Sequence, residues 1–113
     1  MPRTDPDDPL TEFAIETLLA TPEGWRAVVR DAAARWPDTA PLGIVFALVS
    51  AAAEIEATFA HGSPAREAAG HGFRVAGLLA GDLYAMEALG LPRARAGDLF
   101  GYWRGHDPFF LTL

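Results

Sequence analysis

Four side chains in the middle of this 113-residue chain have types and spacings that can do chemistry: Glu54, Glu67, His71 and Arg74. Glu67, His71 and Arg74 follow at steps of four and three, which puts them on one face of a helix. Glu54 belongs to a second stripe, Gly43, Ala47, Ser50, Glu54, Ala57 and His61, with the same alternation of steps. If the two segments form a hairpin turning at Gly62-Ser63, position 54 comes opposite position 71. The four side chains then converge, with His61 nearer the turn. One imidazole and two carboxylates can hold a divalent metal. Arg74 competes for Glu54, however, and the paired Glu-x-x-His motifs of di-metal bundles are missing. A structural polar network is therefore expected, with no metal and no cofactor. Glu54, Glu67, His71 and Arg74 are the candidate ligand-binding set.

The elements that must position these residues are all helical. Residues 1–9, with three prolines and three aspartates, read as a disordered acidic lead-in to a single domain over residues 10–113. A first helix is expected from Leu10 to Ala20, with Thr11 as its cap. Thr21, Pro22 and Glu23 form a new start signal. The second helix then runs to Trp36 on the stripe Trp25, Val28, Val29, Ala32, Ala33 and Trp36. Asp38 or Thr39 can cap a third helix from Pro41 to about Ala60. That helix is apolar nearly all round as far as Ala53, the mark of a central helix, so Leu48 or Val49 should be almost fully buried. Ser63-Pro64 starts a fourth helix, reaching Leu89 or breaking at Gly70-His71-Gly72. The short connection makes the third and fourth helices an antiparallel hairpin. A last short helix is expected near Asp98 to Arg104. The fold class is all-α: one bundle of four to five helices around a central hairpin.

The fourth segment resembles a known family. Arg74 lies three residues after His71, Ala76 two beyond that, and Gly81 ten after His71, while Phe73 is apolar. This pattern, over about residues 62–81, is similar to the phosphoacceptor segment of histidine-containing phosphotransfer domains, four-helix modules of two-component signalling. The resemblance implies a phosphorylated His71 on an exposed helix face, with Arg74 meeting a phosphoryl oxygen. The chain departs from the pattern in having Arg74 for the family's Lys and Val75 for its Gly.

Composition bounds the rest. There is no Cys, so disulfides, thiolate metal sites and Cys nucleophiles are excluded. The net charge is −6 and every basic residue is Arg, which lacks the footprint of a nucleic-acid binder. The longest charge-free apolar run, Pro41 to Ala53, falls short of a bilayer span of ~20 residues. A cytoplasmic protein without membrane or nucleic-acid partners is expected. The aromatic tail from Phe100 to Leu113 either closes its own core or covers a second subunit, and His106-Asp107 reads as a turn. With no strand-borne phosphate loop and no nucleophile–base pattern, an enzyme is the weaker class. The expected role is a non-catalytic interaction or regulatory module, a homodimer or a partner of another protein. The alternatives are a His71 phosphotransfer domain, or a ligand or metal pocket between the hairpin helices.

Overall fold

A computed structural model describes residues 8–113 and has six helices and no strand among them. They are α1 (Pro9–Ala20), α2 (Val28–Arg35), α3 (Pro41–Thr58), α4 (Pro64–Ala88), α5 (Asp98–Gly105) and α6 (Phe109–Thr112). The chain is an all-α domain, as its periodicity requires, with one or two more helices than the pattern alone counts. The expected disordered lead-in lies outside the described residues as far as residue 7. Its last two residues are ordered by local chemistry. The Asp8 carboxylate accepts from the Leu10 N–H at 3.0 Å, and Pro9 takes the first helical position. Asp8, not Thr11, is thus the cap. Thr11 is inside α1 and buried, and its hydroxyl has no hydrogen-bond partner among the described residues.

The second helix does not start at Thr21. The chain makes a single 3-10 turn over Gly24–Arg26, and α2 begins at Val28. The cause is contact with α1. A Cβ on Gly24 would lie 1.9 Å from the Thr17 carbonyl oxygen, so backbone meets backbone there. The apolar stripe still reaches the core: Val28, Val29, Ala32 and Ala33 are buried, and Trp25 and Trp36 pack at its edge.

The hairpin forms as read. Gly62, at φ +80°, makes the turn. The Ser63 hydroxyl accepts from the Arg66 N–H at 3.2 Å to cap α4. The Arg66 guanidinium reaches back to the Phe59 carbonyl at 3.0 Å. Ala52 faces Gly72 across the pair, where a Cβ on Gly72 would lie 3.1 Å from both the Ala52 Cβ and the Leu18 Cδ1. The absent side chain at position 72 lets α1, α3 and α4 meet. α4 runs unbroken through Gly70-His71-Gly72, so the helix does not break there. It ends at Gly90, φ +69°, where the Leu91 N–H donates to the Met86 carbonyl at 2.9 Å.

α3 is less central than its composition suggests. Ile44, Ala47, Leu48, Ala51, Ala52 and Ile55 are buried, but Leu42, Phe46 and Val49 stay exposed. Of the pair Leu48 and Val49, Leu48 is the one deeply buried, as expected of one of them, and Val49 is 39% exposed. By length and mean hydropathy α3 is apolar enough to cross a membrane, yet only 39% of it is buried in this fold. The tail closes the chain's own core. Tyr102, Trp103 and Phe110 are buried against it, while Phe109 remains exposed.

Candidate functional site

The candidate residues separate into two places. Glu67 and His71 line one pocket of about 320 Å³, between the end of α1 and the start of α4. Leu18, Thr21, Pro22 and Ala68 are among the other residues of its wall. His71 is half-buried, and its ring stacks on Trp25 at 5.3 Å between centroids and 19° between planes. The Arg26 guanidinium sits 4.7 Å from the Trp25 ring and pairs with Glu23. Trp25 is thus held between a cation and an imidazole, an arrangement set by the 3-10 turn that Gly24 permits.

Glu54 and Arg74 do not join them. Both are exposed, and neither makes an ion pair among the described residues. The convergence of Glu54, Glu67, His71 and Arg74 is therefore not formed. Ala52 faces Gly72, within a residue of the expected register, but α3 is rotated away from the expected orientation. Its buried stripe runs through Leu48, Ala51, Ala52 and Ile55, which turns Glu54 outward. No group of three His, Asp or Glu side chains is placed to hold a metal among the described residues. Gly70, Gly77 and Gly81 are open, with nothing within 4 Å of a Cβ built on any of them. They do not pack a neighbour inside this chain.

Sequence reasoning missed one buried polar pair. The Trp103 indole N–H donates to the Asp82 carboxylate at 3.0 Å, joining α5 to α4. Burial pushes the Asp82 carboxyl above the usual carboxylate range; the Trp103 hydrogen bond opposes this and the nearby Asp107 charge adds to it. Burial, with the charges of Asp82 and Asp107, likewise raises the Tyr102 phenol. The signal was available: Asp82 falls at the Leu79 and Met86 positions of the apolar stripe. Asp98 instead accepts from the Arg95 N–H at the start of α5. Asp107 accepts from the Phe109 N–H at 3.2 Å, the turn role expected of it.

A second site appears only in three dimensions. Leu42 on α3, 66% exposed, and Tyr84 on α4, 76% exposed, line one surface groove, and Val49 and Phe73 are further exposed apolar side chains on the same two helices. A groove of about 530 Å³ opens between Leu42 and Tyr84, with Ala80 and Leu83 in its floor and Glu87 and Arg93 among its walls. α3 carries no charge from Pro41 to Ala53. The outward stripe of α4, Gly70, Arg74, Gly77, Gly81, Tyr84 and Ala88, carries Arg74 alone. The hairpin that builds the core therefore also presents a wide apolar face to the outside. Comparison with protein-family models, curated proteins and solved structures finds no match to this chain.

Proposed function

We propose that this protein is a non-catalytic helical interaction module that works as a homodimer through the outer face of α3 and α4. The supporting observation is that face: Leu42, Phe46 and Val49 on one helix, Phe73 and Tyr84 on the other, all exposed. Contiguous apolar patches of this kind mark association sites. α3 has 18 residues, so the face is about 27 Å long, and two helices side by side make it roughly 20 Å wide. With side-chain relief this approaches the ~800 Å² per partner of a standard interface. Each chain carries −6, so two copies repel over most of their surfaces and can meet only where carboxylates are few. On the α3/α4 face the run from Pro41 to Ala53 and the outward stripe of α4 carry no carboxylate, and Glu87 stands at the edge of the groove.

Sedimentation equilibrium at micromolar concentration is expected to give a dimer. Val49→Glu should convert it to a monomer with unchanged helical content, because Val49 is outside the core and a buried unpaired carboxylate at an interface is costly. A wild-type chain that stays monomeric at every concentration would refute this reading.

One set of observations favours a second reading, phosphotransfer at His71. α4 is continuous through the glycines, His71 is partly exposed, and Arg74 is without an ion pair among the described residues. A cation one turn from a reachable imidazole suits phosphoryl transfer. Incubation with a phosphorylated receiver domain would then leave acid-labile phosphate on the wild type and none on His71→Gln. Absence of label on the wild type removes this reading.

A further inference from the structure

We infer that the two copies meet about a two-fold axis crossing α4 between Gly77 and Gly81, with α4 stacked antiparallel on α4 of the partner. The inference rests on the homodimer reading and specifies its geometry. It starts from the outward positions of α4: Gly70, Arg74, Gly77, Gly81, Tyr84 and Ala88. All six are exposed, and their steps of four and three keep them on one face. Folding this stripe back on itself about its midpoint pairs Gly70 with Ala88, Arg74 with Tyr84, and Gly77 with Gly81.

Each of those pairs is complementary. The two central glycines bring the helix backbones close, since a Cβ on either would meet nothing within this chain. The Arg74 guanidinium comes over the Tyr84 ring of the other copy, a cation–π pairing. The two Arg74 charges are kept ten residues apart along the axis, about 15 Å on a helix. A parallel arrangement does the opposite, setting Arg74 on Arg74 and Tyr84 on Tyr84. Self-complementarity under a two-fold is what an isologous interface requires.

The same axis serves α3. Ala52 faces Gly72 across the hairpin, so the point between Gly77 and Gly81 lies level with Val45. A two-fold there brings Leu42 of one copy over Val49 of the other, with Phe46 near the axis. The largest exposed side chains of α3 are thus covered by the operation that pairs the α4 stripes.

The absence of Cys makes the geometry directly readable. Arg74→Cys and Tyr84→Cys proteins are mixed and mildly oxidised, and the products are separated by mass-tagging one of the two. A mixed 74–84 disulfide is expected to dominate, since disulfides form only between Cβ atoms already close. Gly81→Leu is the companion variant. It should raise helical content while abolishing the dimer in sedimentation, because Leu favours the helix and fills the crossing. A dimer that forms mainly the 84–84 disulfide, or none, would overturn the antiparallel register and leave the homodimer reading standing. A wild-type chain that stays monomeric, including one that co-sediments with lipid vesicles instead, would overturn both.

Discussion

Trp103→Ala is expected to destabilise the protein by about 3–5 kcal/mol, the range for emptying a large aromatic site in a core. Trp103 is fully buried and packs against Phe100 and Phe110. Its loss opens a cavity where α5 and α6 close the bundle, and it removes the donor that satisfies Asp82. Trp103→Phe separates the two effects, since it keeps most of the ring and still leaves the buried carboxylate without its partner. Urea denaturation of both variants measures the difference. A loss for Trp103→Ala near zero would mean that the tail does not close the core.

The same pair sets a pH dependence. Burial raises Asp82 in the folded state above its unfolded value, so the native chain holds this proton to higher pH than the unfolded chain does. The stability associated with this group is present below the ordinary carboxylate range. It is lost as pH rises through the raised value. Asp82→Asn keeps a carbonyl acceptor for Trp103 and removes the charge. Relative to wild type, its stability is expected to improve on going from acid to neutral pH, with the change confined to that window.

Gly24→Ala is expected to cost about 3 kcal/mol, at the upper end of overpacking penalties, because the new methyl collides with backbone and not with a flexible side chain. Gly24 has no positive φ, so without the Thr17 carbonyl 1.9 Å from its Cβ the substitution would be mildly stabilising. Gly101→Ala is the control. Its position in α5 is open and lies outside the α3/α4 face, and Ala is favoured there by about 1 kcal/mol. Opposite shifts in the thermal midpoint are the expected result. A neutral or stabilised Gly24→Ala would show that the 3-10 turn does not press on α1. The same variant should also disturb the stack of Trp25 on His71, which near-ultraviolet circular dichroism reads.

The sequence by itself determined the local features of this protein. Apolar spacing near 3.6, Pro at first helical positions and Gly62-Ser63 between two such runs leave few alternatives to a helical hairpin. Each of these signals acts within a few residues, where chain geometry alone sets the outcome. Asp8 as cap was equally local, and was obscured only by the run of acidic and Pro residues before it.

What the tertiary structure decided is how each helix is rotated. Pro41 to Ala53 is apolar on every side, so the pattern holds no information on which side faces in. Packing against α1 and α4 chose Leu48 over Val49, turned Glu54 to solvent and left Leu42 and Val49 outside. Gly24, Gly72 and Gly77 look alike in sequence. Only the neighbour that each one meets, or does not meet, separates a backbone contact from a helix crossing and from an open face. The placement of Asp82 beneath Trp103 is of the same kind. The two are twenty-one residues apart, and only the docking of α5 on α4 brings the indole N–H to the carboxylate.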